Sequence, residues 1–190
     1  MATSAITATA LTDAGTAPWS LAEHRLTAPE PARTYWLATV GPDGAPHVMP
    51  LIAAWLDGAL YFISGEKTRK GRNLTREPRC AVAVSSTTLP SLDLIVEGEA
   101  ERVTDDDELR RVTEIYGTKL GWPLEVSGGR VVGPNAPTAG PPPYAVFRVT
   151  PTTVFGLPGT AGMEQFHPSD LPRPTRWNIA LLRPTSTRKG

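Results

Sequence analysis

PHVMPLIAAWLDGALYFISGEKTRKGRNLTREPRCAVAV, Pro46 to Val84, carries the signals on which the fold turns. PHVMPLIAAWL (Pro46 to Leu56) and ALYFIS (Ala59 to Ser64) are dominated by apolar residues, and only Asp57-Gly58 separates them. Asp-Gly between two such runs predicts a tight hairpin, because both turn positions favour φ > 0. Behind the hairpin, SGEKTRKGRNLTREPR (Ser64 to Arg79) holds six Lys or Arg residues against two Glu. Its residues from Lys67 to about Arg76 read as a short helix, ended by Pro78. RCAVAVSS (Arg79 to Ser86) then resumes as strand.

The pattern extends in both directions. Upstream, RTYWLATV (Arg33 to Val40) is rich in β-branched and aromatic residues and runs into the turn GPDG. Before it, Ser20-Leu-Ala-Glu23 has capping-box spacing and predicts a helix from about Leu21 to Leu26. Downstream, LDLIVEGEAERV (Leu92 to Val103) alternates from Val96, with Glu97, Glu99 and Glu101 on one face. TDDDELRRVTEIYGTKLGW (Thr104 to Trp122) places Leu109, Val112, Ile115, Tyr116 and Leu120 at helical spacing behind a Thr104 cap. PYAVFRV and TTVFGL (Pro143 to Leu157) read as two last strands parted by Thr150-Pro151. Short antiparallel strands with helices only at a few crossings predict a mainly β (α+β) protein built on a closed or half-closed barrel. No long βαβ series is present, which argues against a parallel nucleotide-binding sheet.

A length of 190 residues, 40% of them hydrophobic, suits one domain with tails. Residues 1–18, small and polar, read as a disordered N-terminal tail, residues 19–180 as the domain and residues 181–190 as a C-terminal tail. Nineteen basic and nineteen acidic residues leave no net charge, so a general nucleic-acid binder is not expected and anion recognition must be local. No run reaches the roughly 18 apolar residues of a membrane span. The opening MATSAITATALTDAGTAPW has no basic n-region and does not read as a signal peptide. One cysteine, Cys80, excludes an intramolecular disulfide and fits a reducing cytoplasm. The 20 prolines cluster in GPNAPTAGPPPY (Gly133 to Tyr144) and in Leu157 to Pro174, both irregular by this reading.

Arg69, Arg72, Asn73 and Arg76 follow i, i+3, i+4, i+7 spacing along the cationic helix, and Lys70 and Asn73 are three apart. The helix N-terminus beside Ser64 to Thr68 adds free N–H groups and a positive dipole end. Lysine and arginine supply charge and forked donors for phosphate or carboxylate. A run of basic residues in isolation is more often a solvated face.

The order of these pieces, from WLATVGPDGAPHVMPL through SGEKTRKGRNLTREPRCAVAV and VEGEAERV to the late TRW at Thr175 to Trp177, resembles the flavin- and deazaflavin-binding split β-barrel family related to pyridoxamine 5′-phosphate oxidase. The basic R-K-x-x-N-L helix and the late T-R-W look most like its deazaflavin (coenzyme F-420) branch. The resemblance covers about Arg33 to Ile179. It implies an antiparallel six-stranded split β-barrel of the FMN-binding type with a few peripheral helices, forming a homodimer with cofactor sites in the subunit interface. It implies that His47, Val48, Met49, Pro50 and Leu51 lie beside the cofactor ring, and that Ile63, Ser64, Lys67, Arg69, Lys70 and Asn73 hold its phosphate-bearing tail. Arg176 and Trp177 would approach the site, commonly from the partner subunit. The expected cofactor is F-420, whose phosphodiester and carboxylates suit several cations; FMN is the alternative, and haem, another ligand or no cofactor remain open. The implied function is hydride transfer from reduced F-420 to a small conjugated organic acceptor, with an FMN-dependent oxidoreductase or a non-catalytic binding protein as alternatives. The C-terminal TRWNIALLRPTSTRKG does not reproduce the basic ending of authentic pyridoxamine phosphate oxidases, which argues against vitamin B6 oxidation.

Single residues add limits. No Glu or Cys stands at ligand spacing around His24, His47 or His167, so no metal site is expected. No Ser, His and Asp set forms a triad, and no catalytic side chain is named. Trp36 and Trp55 read as core, Trp122 as packing at its helix end, and Trp177 as either core or site wall. Cys80 reads as a small buried hydrophobe. The loops 133–143 and 159–174 are candidates for a lid over the substrate, with Met163, Phe166 and His167 as an adaptable lining.

Overall fold

The structure, a computed structural model, describes residues 4–28, 33–86, 88–136, 139–159 and 162–181. In chain order these form β1 (Ser4–Ala10), α1 (Trp19–Thr27), β2 (Tyr35–Val40), β3 (Pro46–Leu51), β4 (Ala53–Leu56), β5 (Ala59–Ser64), α2 (Arg69–Arg76) and β6 (Arg79–Val84). They continue with β7 (Leu92–Val103), α3 (Asp106–Leu120), β8 (Glu125–Ser127), β9 (Arg130–Val132), β10 (Ala145–Pro158) and β11 (Thr175–Leu181). Nine strands make one antiparallel sheet, in the order β1-β11-β10-β7-β6-β2-β3, with β5 on β10 and β4 on β5. β8 and β9 form a separate hairpin.

The hairpin signal at Asp57-Gly58 holds: both residues adopt positive φ, 51° and 81°, and β4 pairs with β5 directly across them. β5 is buried on both faces, which is why its sequence is an unbroken apolar run. One face turns Leu60 and Phe62 into the larger core, where Phe62 stacks on Phe147 at 5.2 Å. The other face turns Tyr61 and Ile63 against Leu109, Val112 and Tyr116 of α3. α3 begins on an Asp105 cap that accepts from Glu108 N, one residue beyond the predicted Thr104. Gly121 ends it in the left-handed conformation.

Other boundaries differ from expectation for physical reasons. The predicted single strand Pro46 to Leu56 is two strands, parted at the exposed Ile52. The mainly β, antiparallel architecture with few helices is as expected, but the ladder does not close into a six-stranded barrel, because β3 and β4 are separate members of it. The two predicted strands around Thr150-Pro151 are instead one, β10, which absorbs the proline through a register irregularity between Pro151 and Thr153 opposite β7. Ser20 does not cap α1; Pro18 occupies that position with no side-chain cap.

The expected disordered tail of residues 1–18 is corrected over Ser4–Ala10, which forms β1 on the edge of β11. Its alternating Ala and Thr carry little burial signal, and pairing with a distant strand supplies the order. The chain between β1 and α1 is tied to the same strand: Ala17 N donates to Thr175 Oγ1 (2.8 Å), and Trp177 Nε1 donates to Ala17 O (3.2 Å). The proposed C-terminal tail lies outside the described residues beyond Leu181. No helix among the described residues is long and apolar enough to cross a membrane.

Candidate functional site: a cationic helix beside an edge strand

α2 leaves β5 through a tight turn. Ser64, fully buried, sets its hydroxyl 3.0 Å from Thr68 Oγ1, and that oxygen accepts from Gly71 N (3.1 Å) as the N-cap. Gly71 is required by close approach: a Cβ there would lie 2.8 Å from the carbonyl oxygens of both Gly65 and Glu66. The helix presents a sharply divided surface. Lys70 (3% exposed), Asn73 (2%) and Leu74 (3%) turn inward, while Arg69, Arg72 and Arg76 are exposed. The i, i+3, i+4, i+7 spacing of Arg69, Arg72, Asn73 and Arg76 therefore does not gather all four on one surface, because Asn73 turns inward. Arg72 folds back to the Lys67 carbonyl, and Arg76 donates to the Val40 carbonyl.

Asn73 pins the helix to the sheet. Its Nδ2 donates to Thr39 Oγ1 (3.0 Å), and the Thr39 hydroxyl donates to His47 O (3.3 Å), so one buried and one part-buried hydrogen bond link α2 through β2 to β3. The sequence reading missed Thr39; its inward place in the alternation of β2 was the available signal. His47 stands near Arg69 and Lys70. Burial, and then the charges of Arg69 and Lys70, hold its imidazole below the ordinary histidine value. Burial likewise lowers the Lys70 ammonium from its usual value.

The charge around α2 is incompletely balanced. Among the described residues, Lys67, Arg69 and Arg72 form no ion pair, whereas Arg79 is held by both oxygens of Glu77 and Arg148 by Glu101 and Glu108. A buried lysine with exposed arginine beside it, next to an edge strand with free backbone groups, can hold a phosphate or carboxylate. The donor set therefore fits the anionic tail of a flavin or deazaflavin.

The other predicted site residues divide by place. On β3, His47 and Met49 are half-buried on one side and Leu51 enters the core, while Val48 is 53% exposed on the opposite side. Val48 shares that outer surface with Pro50, Trp36 and Val40. Ile63 and Ser64 are interior residues that seat α2. Trp177 is fully buried in the core against Trp19, so its indole is packing and not a site wall in this chain. Trp36, expected in the core, is 50% exposed.

Register carries the outer surface across six strands: Arg176, Phe155, Ile95, Ala83, Trp36 and Pro50 lie in one transverse row. Arg176 is half-buried there, and its Nε is a buried donor without a partner. A cleft of about 450 Å³ opens on the same surface over Ala38, Ala81 and Gly98, rimmed by Pro46, Glu97 and Glu99. Cys80 lines it, and burial pushes its thiol up to about 12. Among the described residues no group of three or more His, Cys, Asp or Glu could hold a metal ion.

The proline-rich loops are not alike. Ala139 O accepts from Gly65 N (2.9 Å), and Pro134 O accepts from both Trp122 Nε1 (3.1 Å) and the Tyr144 hydroxyl (3.2 Å), so the first loop is fastened beside the start of α2. The second, with His167 capping a short 3-10 turn at Pro168–Asp170, packs at the far end of β10, where Gly162 meets Leu89.

The sequence profile of the pyridoxamine 5′-phosphate oxidase family matches residues 22–157. A pyridoxine/pyridoxamine 5′-phosphate oxidase from Thermobifida fusca (strain YX) is 34% identical over 98 residues, 50% of this chain and 44% of that protein. The chain thus matches less than half the length of that curated relative. A solved F420 reductase is 28% identical and covers 70% of this chain and 94% of its own, with a TM-score of 0.49. The conserved hypothetical protein Rv2991 from Mycobacterium tuberculosis is 22% identical, covers 79% of this chain and 89% of its own, and shares the fold with a TM-score of 0.56. A match that runs from Ala22 in α1 to Leu157 in β10, through β3 and α2, makes this chain a member of the pyridoxamine 5′-phosphate oxidase family.

Proposed function

We propose that the chain is an oxidoreductase that binds reduced coenzyme F-420 along β3 and α2 and delivers its hydride to a small conjugated organic acceptor. The observation that carries this reading is the set of cations on α2 and in the turn before it, with Lys70 3% exposed and Lys67 and Arg69 forming no ion pair among the described residues, in a family of flavin-linked oxidoreductases. Lys70 and Arg69 hold the tail phosphate, and Asn73 fixes the helix so that both cations face it. His47 to Leu51 orient the ring against the edge of β3. Bound there, the cofactor supplies the two-electron chemistry. The chain's own task is to fix the tail, leave one ring face open and exclude water from it. FMN, with a single phosphate monoester, is the alternative occupant, and the number of cations beyond Lys70 favours the longer anion.

The same reading takes β3 and β4 as one strand bent at Ile52, so that β2, β3/β4, β5, β10, β7 and β6 follow one another as six staves of a split barrel. Each neighbouring pair in that order is hydrogen-bonded, which supports it. It also takes the outer surface of β2 and β3, with Trp36, Val40 and Val48 exposed, as the contact between two copies, with Arg176 brought toward the partner's site. A reducing cytoplasmic setting agrees with the single cysteine.

The test is direct. The purified chain is mixed with F-420 or FMN, dialysed and examined for retained absorbance, at about 420 nm for the deazaflavin. Retention of F-420 in preference to FMN, with oxidation of the reduced form by unsaturated acceptors, is expected. Retention of neither cofactor would sink the proposal, and retention without turnover would reduce it to a binding protein.

A further inference from the structure

α1 packs on the sheet through Ala22, Arg25 and Leu26, which are 0%, 7% and 3% exposed. Their i, i+3, i+4 spacing is that of an apolar stripe, and one of its three places holds a guanidinium. Of the five N–H donors that an arginine carries, Arg25 uses one on a described residue: Nη2 donates to Pro90 O (3.1 Å), in the loop between β6 and β7. Its Nε is a buried donor with no partner. Among the described residues Arg25 forms no ion pair. One residue beyond Pro90, the Ser91 hydroxyl is also buried, at 4% exposed, and also lacks a partner.

A tie to the Pro90 carbonyl does not need a charge, since a neutral amide would donate as well. Arginine stays protonated, so its charge must be balanced where it is buried. Arg25 stands in the last turn of α1, where the helix dipole offsets part of that cost and no more. Arg33 brings a second guanidinium against the same helix end. Its Nη1 donates to Arg25 O (2.5 Å) and its Nε to Ser85 O (3.3 Å).

We propose that Arg25 holds a compact inorganic oxyanion, of phosphate or sulfate size, between the end of α1 and the β6–β7 loop. Its Nε–H and the second Nη2–H form the fork, and the Ser91 hydroxyl is a further donor from the adjoining loop. Two parallel N–H groups on a guanidinium edge match two oxygens of such an ion. The site stands apart from the α2 cations. β2 runs from Tyr35, two residues after Arg33, to Val40, whose carbonyl accepts from Arg76 of α2. β6 runs back from Arg79 to Val84, next to Ser85. Six residues of strand, about 20 Å, therefore separate the two places. The inference is independent of the proposed function, and the bound ion fastens α1 to the loop that it faces.

Full-length protein is titrated with sodium phosphate and with sodium sulfate, at an ionic strength held constant with sodium chloride. The melting temperature and the Arg25 Nε–Hε resonance are followed. The melting temperature is expected to rise saturably by a few degrees, and the resonance to move over the same range of concentration. Arg25→Gln, which keeps a donor for Pro90 O, is expected to melt without regard to either anion, and Arg25→Lys to keep part of the response. Lys70→Met removes a charge from α2 and is expected to leave the response intact, which separates this site from phosphate taken up there. A wild-type resonance that both anions leave in place overturns the site, as does a response that disappears in Lys70→Met or persists in Arg25→Gln. A resonance that moves on Glu30→Gln and not with phosphate assigns the balancing charge to the chain itself and overturns the site equally. If Arg25→Gln does not fold, the wild-type resonance and Lys70→Met decide between these outcomes.

Discussion

Lys70 and Asn73 stand three residues apart on the same helix face, yet they do different work. Asn73 is a strut between α2 and Thr39, whereas Lys70 is a buried charge whose ammonium burial disfavours. Lys70→Met keeps the aliphatic stem and removes the charge. The variant is expected to be as stable as the parent by urea denaturation and to lose at least about tenfold in cofactor affinity by titration, roughly 1.4 kcal/mol. Asn73→Ala leaves a buried hydroxyl short of a partner and is expected to cost about 1–3 kcal/mol of stability in the same experiment. The residue types at these positions and their three-residue spacing were readable in the sequence, but that both turn inward was not. The inward fate of Ser64 and Trp177 was not, because it is set by Thr68 and by Ala17 and Trp19, contacts that no local pattern encodes.

Elements carry their own consequences. α3 seats on β5 through two tyrosines. The Tyr61 hydroxyl donates to Glu108 Oε1 (2.8 Å), and Tyr116 donates to Ile52 O (2.9 Å) and Tyr61 O (3.2 Å). Burial first, and then the Glu108 bond, pushes Tyr61 up to about 12, and burial raises Tyr116 well above its usual value. Between about pH 10, where an unfolded tyrosine ionises, and 12, the native state binds more protons than the unfolded one, so stability falls as pH rises. The urea midpoint is expected to drop over that window, with late ionisation of these two phenols in the ultraviolet. A steady midpoint would refute the buried pair.

The crossing of β7 and β10 is equally exposed to test. A Cβ on Gly98 would lie 2.2 Å from Thr150 O, so Gly98→Ala is expected to lose about 2–4 kcal/mol by calorimetry or denaturation. Hairpins were legible at this scale because Asp57-Gly58 is a local signal. β8 and β9 were not, since Gly128-Gly129 lies between runs only three residues long. Pro151 suggested a break, and the register irregularity opposite β7 removes the need for one.

At the scale of the whole molecule, β1 lengthens the sheet by a seven-residue ladder and covers the edge of β11. Removing residues 1–10 would uncover that edge and the half-buried Ile6 and Ile179 beside the core. The truncated chain is expected to melt several degrees lower and to aggregate more readily on heating, measured by calorimetry and light scattering. The general architecture was legible because alternation and turns are written into each strand. The full sheet was not, since an edge strand of alternating Ala and Thr acquires its meaning only from its neighbour.

The ladder from Ser4–Leu181 to Ala10–Thr175 brings the first and last strands into register, so a short peptide could join them covalently. A circularly permuted gene, reopened at the exposed Asp57-Gly58 corner, should then yield the same sheet with β4 and β5 at its new termini.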